Sequence, residues 1–232
     1  MFRLALKMLF RDKTRYLVLL GAFVFSTLLM TQQAGIFLGL MDWSTATISN
    51  LRVPIWVMDP KVGQVNEVKP LKETDASRVR SVPGVAWAVP VHSGLVQVKL
   101  PNGDFQMIQL IGLDSTTLIG RPSQLLEGNL LDLRLPNSIM VDDLALHRFN
   151  LKLGDILELN DREARIVAVV KARRSFTGVP YIFSTFERAV QFSPPSRKMT
   201  SFILAAPEDN ISPLGLVKKI SDQTGLKART ED

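Results

Sequence analysis

The residues of this 232-residue chain that could do chemistry are few and scattered. His92 and His147 could serve as metal ligands or general bases, but they lie far apart in different predicted elements. His92 falls near a strand end and reads as a structural or solvent-facing histidine. Asp142-Asp143 could suggest a carboxylate pair for a metal. At a strand-to-helix junction such residues cap the helix N-terminus, where a side-chain oxygen accepts orphan backbone N–H groups. Asp114-Ser115-Thr116 carries a hydroxyl beside a carboxylate, with no base at useful spacing. There is no Gly-x-x-x-x-Gly-Lys-Ser/Thr loop to cradle phosphates, no Gly-x-Ser-x-Gly and no His-Glu-x-x-His. Zero cysteines exclude thiol chemistry, a disulfide framework and a lipoprotein anchor. The expectation is a chain with no catalytic residues, no metal and no cofactor. One basic stretch stands out: Lys171, Arg173 and Arg174, followed by Phe176, form a loop suited to docking a partner.

The elements that would position these groups begin with a hydrophobic one. Arg3, Lys7, Arg11, Lys13 and Arg15 precede an uncharged run over 16–41, ended by Asp42. As a helix rising about 1.5 Å per residue, this run reaches roughly 39 Å, enough to cross a hydrocarbon core of about 30 Å with tilt. Basic residues before the span and an acid after it favour a cytoplasmic N-terminus and an exported body. A cleaved signal peptide is the rival. Residues 17–25 have the right length for its apolar core, but a cut after Ala34 would leave Gln32 where a small residue is wanted. A retained membrane helix is therefore expected. No Gly or Pro follows until Pro54, so the helix is expected to continue to about Asn50, with Trp43 at the outer interface. Gly35 and Gly39 form a Gly-x-x-x-Gly pattern, which lets a second membrane helix approach closely. Over 1–15, Arg3, Lys7, Arg11 and Arg15 share one face of an amphipathic helix, suited to anionic lipid or to a cytoplasmic partner.

The formal charge of +6 could point to nucleic acid. Arg3, Lys7, Arg11, Lys13 and Arg15 against Asp12 account for four of those six charges, so the rest of the chain is nearly balanced. No nucleic-acid partner is expected.

After the span the pattern alternates short strands and helices. Strands are expected at 55–58, 86–91, 95–100, 105–113, 138–141, 155–159, 162–170, 181–184 and 201–205. Helices are expected at 74–81, 142–149, 186–192 and 213–224. Asn102-Gly103 and Asn160-Asp161 carry hairpin chemistry. Ser212 is a helix cap with Pro213 in the first turn, and Gly225 ends that helix. The fold class is α+β: one N-terminal transmembrane helix, then a mixed body with β-hairpins. The domains are a cytoplasmic segment at 1–15, a membrane helix at 16–41 and an exported domain at 52–232.

Leu153-Gly154-Asp155-Ile156-Leu157-Glu158-Leu159-Asn160, followed by Ala164-Arg165-Ile166-Val167-Ala168-Val169-Val170, resembles the extracytoplasmic domain of MacB/FtsX-like ABC transporter permeases. Val82-Pro83-Gly84-Val85, Ile111-Gly112-Leu113-Asp114 and the entry Arg11-Asp12-Lys13-Thr14-Arg15-Tyr16 are similar too. Phe176-Thr177-Gly178-Val179-Pro180-Tyr181-Ile182-Phe183 resembles the DevC-type permeases of cyanobacterial glycolipid exporters. The resemblance implies an inner-membrane export component with a MacB-like periplasmic domain. It implies a separate ABC ATPase, a periplasmic membrane-fusion adaptor, an outer-membrane efflux duct reached through that adaptor, and a homodimer of the complete permease. The cargo would be a lipid, glycolipid or other amphiphile. Such permeases carry three further membrane helices after this domain, and no second apolar run appears before Asp232. The expectation is a truncated coding sequence, functional or degraded, or a second polypeptide that supplies the rest. A single-span periplasmic adaptor is the alternative, but no sustained heptad pattern supports it.

Overall fold

The computed structural model describes residues 13–63, 67–174, 178–194 and 199–231. The chain divides into two units, Met1–Ser44 and Thr45–Asp232.

In the first unit, α1 (Lys13–Ser44) is one uninterrupted helix with no buried residue. Leu17, Phe23, Phe25, Met30, Ile36 and Phe37 are all exposed. A helix that is apolar all round needs a hydrophobic environment. Two of its hydroxyls bond within the helix: Thr27 Oγ1 donates to Phe23 O and Thr31 Oγ1 to Thr27 O, both at 2.8 Å. That leaves no side-chain hydroxyl of this pair needing water. By length and composition α1 is able to cross a membrane.

The helix does not run on to Asn50. Thr45 leaves helical geometry (φ −93°, ψ 1°), and a separate α2 (Ala46–Leu51) follows. Ala46, Asn50 and Leu51 are buried, so α2 belongs to the body and its packing sets the break. Arg52 closes α2 in the left-handed region, its N–H donating to Ile48 O.

The body is two sheets joined by one strand. The first contains β1 (Ile55–Met58), the N-terminal half of β2 (Val85–Lys99), β9 (Phe202–Pro207) and β10 (Lys227–Thr230), in the order β10-β1-β9-β2 and antiparallel throughout. Helix α3 (Asp75–Arg80) connects β1 to β2, and α6 (Pro213–Thr224) connects β9 to β10. This interleaving of two βαβ units is the ferredoxin-like arrangement. One face buries Ile55, Val57, Ile203 and Ala205 against Val79 of α3 and Leu216 and Ile220 of α6. Full burial of such side chains contributes about 1.5–3 kcal/mol each.

Everything between β2 and β9 is an insertion into this unit. It holds β3 (Phe105–Leu113), β4 (Gln124–Gly128), a 3₁₀ turn (Leu130–Arg134), β5 (Ser138–Asp142), α4 (Asp143–Arg148), β6 (Ile156–Leu159), β7 (Arg162–Lys171), β8 (Tyr181–Thr185) and α5 (Phe186–Phe192). Pairing runs from β2 through β3, β8, β5, β7 and β6 back to β2, so six strands close on themselves. Closure removes free edges from these strands. Val96, Val98, Ile108, Leu110, Val141, Leu157, Ile166 and Ile182 fill this second core. A third cluster lies between the two sheets, with Trp56 edge-on to Phe202 at 5.5 Å and Tyr181 stacked near Phe183 at 6.1 Å.

The expected strands and helices of the body are present, with differences. The pieces at 86–91 and 95–100 are one strand, β2. It pairs with β9 as far as Val91 and with β3 from His92, so it passes from one sheet into the other without stopping. β4, β10, α2 and the 3₁₀ turn were not expected. The Asn160-Asp161 turn has φ of 48° and 62°, the two positive values of a type I′ turn. Gly225 ends α6 in the left-handed region (φ 69°), as expected, but Ser212 makes no side-chain cap bond.

Candidate functional site

The residues singled out for chemistry are structural. His92 is fully buried within β2, not at a strand end and not facing solvent. Its Nδ1 lies 2.8 Å from Met199 O and its Nε2 2.7 Å from Ser193 Oγ. A carbonyl only accepts, so Nδ1 carries the proton and Nε2 accepts from the Ser193 hydroxyl. Burial lowers the His92 pKa, outweighing the Met199 hydrogen bond, which raises it. His147 is exposed near the C-terminal end of α4.

Asp142 caps α4, as its position at the junction suggests. Oδ1 accepts from Ala145 N at 2.7 Å, and Oδ2 accepts from Tyr181 N at 2.9 Å. One carboxylate thus ties the end of β5 to the start of β8. Burial raises its pKa to about 6 against those two hydrogen bonds; Asp143 adds to the rise and Arg174 opposes it. Asp114 caps its own turn, accepting from Thr117 N and Thr117 Oγ1.

Ser115 Oγ donates to Glu187 beside an open cleft of about 480 Å³, also lined by Arg134, Thr185 and Arg188. Arg134 donates to the carbonyls of Ser115 and Thr116, and Arg188 to those of Leu133 and Arg134. The guanidinium groups staple the 3₁₀ turn to its neighbours. Among the described residues no group of three His, Cys, Asp or Glu side chains is placed to hold a metal.

Of the contact residues, Arg3, Lys7 and Arg11 lie outside the described residues, as does Phe176. Arg15 is exposed in the first turns of α1. At Gly35 and Gly39 an added Cβ would meet nothing within 4 Å, so both present open backbone along α1. Lys171 ends β7 opposite Gln124 of β4, and Arg173 and Arg174 follow it, exposed.

The structure adds a connection that residue spacing does not reveal. Asn50 of α2 is buried and brackets the backbone of Arg173. Its Nδ2 donates to Arg173 O at 3.1 Å, and its Oδ1 accepts from Arg173 N at 2.6 Å. Thr47 Oγ1, on the same helix, lies 2.9 Å from the Tyr181 hydroxyl. The short helix at the body's entrance therefore holds both flanks of the β7–β8 connection. Asn50 stands between Ser49 and Leu51 with Thr47 nearby, and nothing in 46–51 marks it in advance as a clamp.

Compared with known proteins, residues 33–222 match the family model for the MacB-like periplasmic core domain. No curated protein sequence matches. Among solved structures, the periplasmic region of MacB from Actinobacillus actinomycetemcomitans is similar, with a TM-score of 0.59 at 15% identity, over 80% of this chain and 94% of that one. The extracellular domain of the noncanonic ABC-type transporter YknZ from Gram-positive bacteria is similar too, with a TM-score of 0.54 at 14% identity, over 77% and 98%. At these identities the likeness is one of fold, and it spans the inserted barrel and the ferredoxin-like unit together. With the family model covering most of its length, the chain belongs to the MacB-like periplasmic core domain family.

Proposed function

We propose that this chain is a membrane permease component of an ABC-type exporter. Its N-terminus (1–15) is cytoplasmic, 16–41 crosses the inner membrane, and 52–232 is the periplasmic domain. A separate ATPase hydrolyses ATP. Its motion passes through the membrane helices to the outer domain, which docks a periplasmic adaptor and, through it, an outer-membrane duct. The chain itself is not an enzyme. The cargo is a lipid, glycolipid or other amphiphile, and the subgroup is the DevC-type permeases.

The observation that carries this reading is family membership together with α1, an apolar helix whose C-terminal part lies within the matched residues. The α2 clamp supports a transmitting role, because it ties the residues after α1 to the β7–β8 connection. The subgroup rests on the sequence likeness at 176–183 and the homodimer of the complete permease on the family resemblance, while Gly35 and Gly39 are the positions at which other membrane spans would pack.

Two measurements test the reading. A periplasm-active reporter fused after Asn50 should be active; cytoplasmic activity there would reverse the topology. Deleting the gene should leave an amphiphilic lipid in the inner membrane that normally reaches the cell surface. An unchanged surface lipid profile would remove the assignment of cargo.

A further inference from the structure

We propose that Arg52, Arg121, Arg148, Lys171, Arg173 and Arg174 form a basic collar that binds anionic phospholipid headgroups in the leaflet from which α1 emerges. The proposal rests on the reading of α1 as a membrane span.

Contacts within the body place these cations around α2 and the β7–β8 connection. The Asn50 clamp fixes the Arg173 backbone against α2, and Lys171 and Arg174 flank Arg173. Arg52 is the exposed residue that closes α2. Gly120 lies against α2, since a Cβ there would stand 3.2 Å from Leu51, and exposed Arg121 follows it. Arg148 reaches the other flank of the connection, its Nη1 donating to Gly178 O at 3.0 Å. Two of the acids at this end are engaged by backbone N–H groups. Asp142 is buried with both oxygens engaged by backbone N–H groups. Asp143 is half-buried and accepts from Leu144 N. Glu231 is exposed, and its N–H donates to Pro54 O.

Chain connectivity supplies the partner. Asn50 follows Ser44, the last residue of α1, by six positions. Six residues span at most about 21 Å even when extended, so the clamp tethers Arg173 close to where a spanning α1 leaves the bilayer. Guanidinium groups match phosphate oxygens bidentately, and a tethered basic cluster meets headgroups at high effective concentration. Each cation near an anionic surface favours the docked state by roughly fivefold. The loop that residue types alone suggest for a protein partner is thus assigned to the membrane.

The chain has no cysteine, so a single reporter can be placed without background. The full chain carrying Ala172→Cys with a fluorophore is incorporated into nanodiscs containing a headgroup-nitroxide lipid quencher. The discs are of phosphatidylcholine alone, or of an equimolar mixture of phosphatidylcholine and phosphatidylglycerol. The proposal expects markedly stronger quenching in the anionic discs. That excess should disappear at about 1 M salt, where the screening length is about 3 Å. It should also disappear when Arg52→Gln, Arg121→Gln and Arg174→Gln are combined. Equal quenching in the two lipids, or an excess that survives both high salt and charge removal, would overturn the collar while leaving the span intact. Failure of the chain to enter discs of either kind would overturn the span and the collar together.

Discussion

At the scale of single residues, the buried polar groups act as ties between elements. Asp142 is the clearest, because one carboxylate holds both the α4 N-terminus and the start of β8. Its folded pKa of about 6 stands above the ordinary 3.8, so between those values the folded state binds more protons than the unfolded one. Stability from this group is full below about pH 4 and falls as pH rises toward 6. The amplitude is on the order of 2–3 kcal/mol. Thermal unfolding followed across that window should show this decline, and Asp142→Asn should flatten it; a variant with the wild-type slope would assign the slope to other groups. Asn50 is a second tie. Asn50→Ala leaves the Arg173 N–H and C=O without their buried partner and should cost about 1–3 kcal/mol, read as a lowered denaturation midpoint. The cap role of Asp142 was legible because Asp at a strand-to-helix junction has one ready use. Its second bond, to Tyr181, was not, because the partner is 39 positions away. His92 was misplaced for a related reason: Ser93 and Gly94 read as a break, yet the strand continues through them.

At the scale of elements, local chemistry was a good guide wherever a short-range rule applied. The Asn102-Gly103 and Asn160-Asp161 turns, the start of α6 at Pro213 and its end at Gly225 were all readable. β2 reads as two strands because Ser93 and Gly94 interrupt the pattern, although Pro90 lies within the first piece. Pro90 is tolerated because this half of β2 pairs with β9 alone among the described strands, leaving an edge without donors to supply. β4 went unseen because its five residues are all exposed and alternate in no regular way. Gly112 shows how tightly the inserted barrel holds its helix. A Cβ there would lie 2.5 Å from Ala189 Cβ and 3.1 Å from Phe186 Cα. Gly112→Ala should therefore destabilise by about 1–3 kcal/mol, and adding Ala189→Gly should recover part of the loss. Equal melting of Gly112→Ala and wild type would mean that α5 is not held against β3. In α1, replacing Gly35 and Gly39 with Leu adds bulk where another helix would approach, without lowering hydrophobicity. Crosslinking to partner spans should weaken while membrane insertion persists; unchanged crosslinking would make α1 chiefly an anchor.

At the scale of the whole molecule, an apolar helix precedes a body in which a ferredoxin-like unit carries a closed barrel between its second and third strands. The α+β class and the run of hairpins could be read along the chain. The interleaving could not, since it depends on β9 and β10 pairing with strands more than a hundred residues earlier. The body begins at Thr45, so a fragment from 45 should unfold cooperatively, while one from 52 loses Ala46, Asn50 and Leu51 and should melt at lower temperature. The proposed role is that of the moving, non-hydrolytic part of an export machine. The most direct measurement is affinity purification of the full chain from membranes in mild detergent, co-expressed with the ABC ATPase and membrane-fusion adaptor encoded nearest to its gene. Both should be retained in fixed ratio, with ATP hydrolysis appearing only when the ATPase is present. Purification of the chain free of both, under conditions in which the ATPase and adaptor remain bound to another permease, would contradict it.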